Sequence, residues 1–257
     1  MNLHDIIMLV GAGLLGGTLS AVIGGAALFT FPALLAAGVP PINAAACNMT
    51  AMVPCNFFAA IADRSQLPPF DRAFLGLVLA SIAGAGAGAV LLLVTPPHVF
   101  AGLIPLLLGF VTVLFAYSGR ITVWLRERAQ HLTDEDLRIG TTSFRVLLPV
   151  SIYGGYFGAG VGVLLLAVLS IGTGGDYRAA NVAKNFITSL NSIVAAGIMI
   201  AHGAVFWPQA LTMMSGAVAG GLFGSWLARI LPRTLMRNMI VVLGALLTIV
   251  FARRYWF

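Results

Sequence analysis

Carboxylates are scarce in this sequence and badly placed for ion pumping. Only eight Asp and Glu occur in 257 residues. All of them (Asp5, Asp63, Asp71, Glu127, Asp134, Glu135, Asp136 and Asp176) fall at the edges of apolar stretches or between them. Proton and cation pumps generally need an acidic side chain inside the membrane, and none is on offer here. Lysine is rarer still: of the fourteen basic residues only Lys184 is a lysine, the rest being arginine. The two cysteines, Cys47 and Cys55, share one apolar segment. On a helix they stand about 12 Å apart along the axis, too far for a disulfide, and they read as buried small side chains. The four histidines are scattered, and neither a His-Glu-x-x-His zinc pattern nor a Ser–His pair at nucleophile spacing occurs. An intramembrane enzyme is therefore poorly supported, and no metal or other cofactor is expected.

What the chain has in quantity is apolar surface. It is 60% hydrophobic and 9% charged, where a soluble domain carries roughly 25% charged residues, and its mean hydropathy is +0.99. Residues 6–62, 73–119, 146–175 and 185–228 contain no Asp, Glu, Lys or Arg. A helical span needs about 20 apolar residues, so these gaps hold several spans each. The start, Met1-Asn2-Leu3-His4-Asp5, lacks the positive region of a cleavable export signal, and the first apolar stretch reads as a structural helix. The net charge of +6 comes from arginines at span edges and in loops, where they set topology and meet lipid headgroups. It does not point to nucleic acid.

The two halves repeat. Gly25 and Gly162, Gly38 and Gly175, Asn48 and Asn185, Ala73 and Ala210, and Gly84 and Gly221 are each 137 apart (25 + 137 = 162, and so on). The arrangement reads as a first membrane repeat at 1–119, a cytoplasmic linker with an interfacial helix at 120–145, and a second membrane repeat at 146–257. Thr133-Asp134-Glu135-Asp136 in the linker resembles a helix start with a capping box. Arginines cluster in 63–72, 120–145 and 229–237 and are missing from 95–99 and 200–208. The positive-inside rule then puts corresponding loops on opposite faces, which makes the repeats inverted; only Arg253-Arg254 runs against this scheme. Inversion needs an odd number of crossings per half, whereas about eight helical segments are visible. The expected resolution is that the opening stretch of each half, 6–38 and 146–173, is broken or re-entrant at its glycines. The pairs Gly84/Gly88 and Gly216/Gly220 instead suit close helix packing.

One segment carries chemistry. On a helix Asn181, Lys184, Asn185, Thr188, Asn191 and Ser192 fall within about one third of the circumference, opposite an apolar face of Ala183, Phe186, Ile187, Leu190 and Val194. Lys184 lies six residues after Arg178 (184 − 178 = 6), within snorkelling reach of the interface, but the polar stripe continues past it into the membrane. An ionisable residue at such a place is a functional candidate. The repeat sets Asn48 opposite Asn185, as a site at a repeat interface requires. Helices starting near Gly25 and Gly162 would aim backbone N–H groups and positive dipole ends inward. Substrate-binding candidates are thus Lys184, Asn185, Asn48, Asn181, Thr188, Gly25 and Gly162.

Several motifs together resemble the TauE/SafE family of sulfite-exporter-type membrane transporters. They are Ile23-Gly24-Gly25 ahead of Phe31-Pro32-Ala33-Leu34-Leu35-Ala36-Ala37-Gly38-Val39-Pro40, with Asn48 and Pro54 following, then Tyr153-Gly154-Gly155-Tyr156-Phe157-Gly158-Ala159-Gly160, Ala180-Asn181-Val182-Ala183-Lys184-Asn185 and Gly203-Ala204-Val205-Phe206-Trp207. The resemblance implies movement of a sulfur-containing oxyanion or an organosulfonate. The expectation is an all-α, multi-pass inner-membrane protein, a secondary transporter of exporter type for a small sulfur-containing anion. Its expected partners are that anion and the lipid bilayer, with a homodimer left open. Two alternatives stand beside it: a membrane scaffold whose polar stripe binds a partner helix, and a sulfur-handling protein working through Cys47 or Cys55.

Overall fold

The computed structural model describes residues 1–22, 24–62, 72–130, 141–172, 177–227 and 233–256. Among them there are ten α-helices and no strand. The first half supplies α1 (Leu3–Val22), α2 (Ala27–Ala36), α3 (Pro41–Ala62), α4 (Arg72–Val94) and α5 (Pro97–Gln130). The second supplies α6 (Thr141–Tyr156), α7 (Val161–Gly172), α8 (Tyr177–Ala201), α9 (Trp207–Leu227) and α10 (Arg233–Trp256). α3 and α5 each begin on a proline, whose missing N–H costs nothing in the first turn.

The count exceeds the expected eight because each opening stretch is two helices. Gly24 has φ +88° and Gly158 φ +77°, conformations that a Cβ would oppose. At the first break the Gly24 N–H bonds the Leu19 carbonyl at 2.9 Å, and at the second the Gly158 N–H bonds the Tyr153 carbonyl at 3.3 Å. Both donors reach five residues back, the bond that closes a Schellman-type helix end. The pieces are unequal. α1 has 20 residues and is itself long enough to span, whereas α2 has 10 and α7 has 12. α5 runs through Arg120 to Gln130, into the segment read as linker, and the capping box at 133–136 lies outside the described residues.

Five helices among the described residues, α1, α4, α5, α8 and α10, are long and apolar enough to cross a membrane. α3 and α9 match them in length at 22 and 21 residues. Large apolar side chains stand on the outside, including Leu79, Val94, Leu106, Val113, Val242 and Leu246, an arrangement that water would penalise and lipid accommodates.

The helices pack as matched pairs. α1 lies on α9 and α4 on α6, while α3 crosses α8 and α5 lies along α10. Exchanging α1–α5 with α6–α10 converts the first of these contacts into the second and leaves the last two unchanged. α1 and α9 run parallel, since a Cβ on Gly216 would strike the Val10 carbonyl and one on Gly220 the Leu14 carbonyl. α4 and α6 do the same through Gly84 against Leu148 and Gly88 against Ile152. Both small-residue pairs thus do what their spacing suggests. α3 and α8 run antiparallel, with Asn43 beside Ala204 and Asn56 beside Ser192. α5 and α10 are antiparallel as well, with Gly102 beside Trp256 and Gly119 beside Arg237.

The tips of the two breaks meet in the middle of the molecule. A Cβ on Gly24 would lie 3.2 Å from the Gly162 Cα, and one on Gly162 3.3 Å from the Gly24 Cα. Phe31 of α2 packs edge-on against Phe157 and Phe100, with centroids 5.3 and 6.4 Å away. These rings tie the middle of α2 to the end of α6 and to α5.

Candidate functional site

α8 is the most amphipathic helix of the described chain, and its polar stripe faces inward. Lys184 is 2% exposed and Asn191 4%. The stripe lines a cavity of about 60 Å³ between the α3–α8 crossing and the meeting tips of the breaks, room for a small polyatomic anion or a few waters. From α8 come Lys184, Asn185, Thr188, Asn191, Ser192 and Ala195; from α3 come Asn48, Met49, Met52 and Asn56. Gly24, Ala26 and Ala27 at the first break and Gly158, Val161 and Gly162 at the second close the far wall, with Ser20 and Gly154.

The wall mixes apolar side chains such as Met49, Met52 and Val161 with polar groups and, among the described residues, one charge, Lys184. Among the described residues Lys184 has neither a carboxylate nor a hydrogen-bond partner. Thr188 Oγ1 is buried without a partner, and so is Asn191 Nδ2. Other polar groups are tied. Thr30 of α2 reaches Asn48 Oδ1 at 2.5 Å and the Ala26 carbonyl at 3.0 Å, which fixes Asn48 against the start of α2. Ser20 donates to Asn56 Oδ1 at 3.0 Å, and Asn56 Nδ2 donates to Ser192 at 3.1 Å, linking α1, α3 and α8. Ala26, the cap residue of α2, offers no side-chain hydrogen bond. The Leu28 and Phe29 N–H groups turn back to the Gly25 and Ala26 carbonyls at 3.3 and 3.0 Å, so among the described residues only the Ala27 N–H of the first turn is without an acceptor.

The sulfite exporter TauE/SafE family model matches residues 9–251 of this chain. The chain belongs to that family. A "Probable membrane transporter protein ORF9" of Sinorhizobium sp is 25% identical over 250 residues, spanning 96% of this chain and 92% of the relative. A "Probable membrane transporter protein" of Haemophilus influenzae is 25% identical over 243 residues, at 92% and 90% coverage. The "Probable membrane transporter protein YfcA" of Escherichia coli K12 is 25% identical over 236 residues, at 91% and 85%. No solved structure matches the chain significantly. This TauE/SafE protein is a multi-pass membrane transporter.

Five of the seven residues singled out in the TauE/SafE sequence come together at the cavity: Lys184, Asn185, Thr188, Asn48 and Gly162. Two do not. Gly25 points away, where a Cβ would meet Phe115 of α5 at 3.1 Å and Ile240 of α10 at 3.2 Å; its neighbour Gly24 holds the place at the cavity. The difference arises because the break is not helical, so no periodicity says which glycine faces inward. Asn181 lies one turn before Lys184, where the cavity's lining on α8 has not begun, and its Oδ1 is buried without a partner. Asn56 and Ser20 were not singled out. They are isolated polar residues on apolar helices, and carrying the α8 stripe into the first half with a one-residue slip (192 − 136 = 56) would have found Asn56.

The cysteines of this TauE/SafE chain are free and buried and do not line the cavity. Cys47 Sγ accepts the Phe206 N–H at 3.1 Å. Cys55 packs against Gly17 and Gly221. Both serve as small packing groups between helices.

Proposed function

We propose that this transporter exports a small sulfur-containing anion, such as sulfite, thiosulfate or a short organosulfonate, across the inner membrane, with Lys184 as its counter-charge. The observation that carries the reading is a buried lysine lining a cavity where, among the described residues, no carboxylate neutralises it. A buried charge without a partner is costly, and an anion entering the cavity removes that cost. Amides of Asn48 and Asn185, the Ala27 N–H of α2 and the Val161 and Gly162 N–H groups of α7 then supply hydrogen bonds, which to a charged group are worth about 1.5–3 kcal/mol each. Among the described residues the wall holds one cation, Lys184, which favours a ligand of low charge. The description of the family as sulfite exporters supports the substrate class and the direction.

The helix directions support two inverted repeats with the site between them. Counterpart helices α3 and α8, and α5 and α10, run oppositely, and alternating access in inverted-repeat transporters is a rocking of such halves around a central site. Purified protein in liposomes loaded with sulfite tests the function. The reading predicts efflux well above that of protein-free vesicles and competition by thiosulfate. A scaffold whose stripe binds a partner helix gives no flux.

A further inference from the structure

The proposed anion site does not end at Lys184. Along α8 the cavity wall carries Lys184, then Thr188 four residues on, then Asn191 three further. At 1.5 Å per residue these lie about 6 Å and about 4.5 Å apart along the axis, close to one turn each. Among the described residues none of the three donors has a protein acceptor. Lys184 has no partner among the described residues, and Thr188 Oγ1 and Asn191 Nδ2 are buried and unpaired.

Asn191 is the informative member. It is 4% exposed, and its oxygen is engaged on the side away from the cavity. Ser81 of α4 donates to Asn191 Oδ1 at 2.7 Å and lies 2.9 Å from Ser151 of α6. Ser81 has one hydroxyl hydrogen, already given to Asn191, so Ser151 donates to Ser81. The chain Ser151 to Ser81 to Asn191 therefore holds the amide with its oxygen toward α4 and its NH₂ free. Leaving such a donor buried and unmatched costs free energy. Ser20 and Asn56, by contrast, satisfy one another and Ser192.

We infer that Lys184, Thr188 and Asn191 form a ladder of anion donors, along which the substrate passes from a charged station at Lys184 to an uncharged station at Asn191 beside the α3–α8 crossing. The inference rests on the anion-transport reading above. A single buried cation binds an anion well and releases it poorly, and conduction needs adjacent sites from which the ion can leave. A neutral amide one ladder away supplies that second site without a second charge.

The test is sulfite efflux from liposomes with three single variants at matched protein levels. Thr188→Val is nearly isosteric and removes a hydroxyl that bonds nothing in the protein, so its melting temperature should not fall. Asn191→Ala removes the last donor. Ser81→Ala breaks the bond behind Asn191 and does not touch the cavity. The ladder predicts that Thr188→Val and Asn191→Ala each lower turnover about tenfold, the weight of one hydrogen bond to a charged group. KM should be little changed because loading at Lys184 is intact, and Ser81→Ala should keep most of the turnover. Wild-type turnover in Thr188→Val and Asn191→Ala overturns the ladder while leaving the Lys184 site standing. An equal loss in Ser81→Ala and Asn191→Ala, with Thr188→Val normal, also overturns it and assigns Asn191 to packing. Absence of sulfite efflux from the wild-type protein defeats the reading on which it rests.

Discussion

Alanine substitution at three glycines separates backbone strain from crowding at the centre of the molecule. Gly38 has φ +80° and open space around its missing Cβ, so Gly38→Ala carries only the cost of a left-handed residue, roughly 1–2 kcal/mol. Gly162 has no such strain, but its Cβ would sit 3.3 Å from the Gly24 Cα and 3.6 Å from Lys184 Cδ, so the variant carries only the cost of crowding. Gly24 has both, with φ +88° and a Cβ 3.2 Å from the Gly162 Cα. Adding the strain to an overpacking cost of about 1–3 kcal/mol gives roughly 2–5 kcal/mol for Gly24→Ala. Thermal unfolding of the purified variants in one detergent gives the order, with Gly24→Ala the least stable. Transport separates the remaining pair, because Gly162→Ala adds a methyl to the cavity wall in contact with the Lys184 side chain while Gly38→Ala leaves the cavity alone. Equal destabilisation by Gly24→Ala and Gly38→Ala refutes the contact between the break tips.

Further expectations follow from topology, charge and sulfur. In a background lacking Cys47 and Cys55, single cysteines near positions 68 and 205 should label from opposite faces; labelling from one face sinks the inverted arrangement. With no carboxylate among the described residues of the cavity wall, anion efflux should respond to an imposed potential, which acts on a net charge at about 2.3 kcal/mol per 100 mV. Efflux that ignores the potential and tracks only a pH gradient goes against a charge-moving step. The Cys47→Ala/Cys55→Ala protein should retain sulfite efflux, since neither sulfur lines the cavity; its loss would revive a sulfur-handling role.

How much of this was legible in the sequence depended on regularity. The α8 stripe was readable because a helix repeats its faces and because charge is so rare here that Lys184 stands out. Asn48 was readable through the repeat, which maps it onto Asn185. The breaks were readable from glycine density, yet the choice between Gly24 and Gly25 was not, since it turns on a left-handed backbone with no period to project. Asn181 belonged to the stripe by angle and fell short by height, and only the position of the α2 and α7 tips says where the cavity starts. Asn56 and Ser20 make sense as a bonded pair, and nothing in their separate surroundings announced it. The free hydrogens of Asn191 depend on Ser81 and Ser151, which come from helices far away in the chain.

The central claim is that the buried Lys184 cation binds the transported anion, and transport by Lys184→Met tests it most directly. Methionine fits a membrane helix and removes the charge with little change in volume, so the variant should insert and fold. Loss of the counter-charge and its hydrogen bonds should lower sulfite efflux by about tenfold or more. Lys184→Arg, which keeps the charge in a planar fork with different donor directions, should keep part of the activity. A lysine that only reaches toward the interface predicts near-silent Lys184→Arg and a small effect of Lys184→Met. Measured at matched protein levels, efflux reduced at least tenfold in Lys184→Met and partly retained in Lys184→Arg is the predicted result. Near-normal efflux by Lys184→Met contradicts the account.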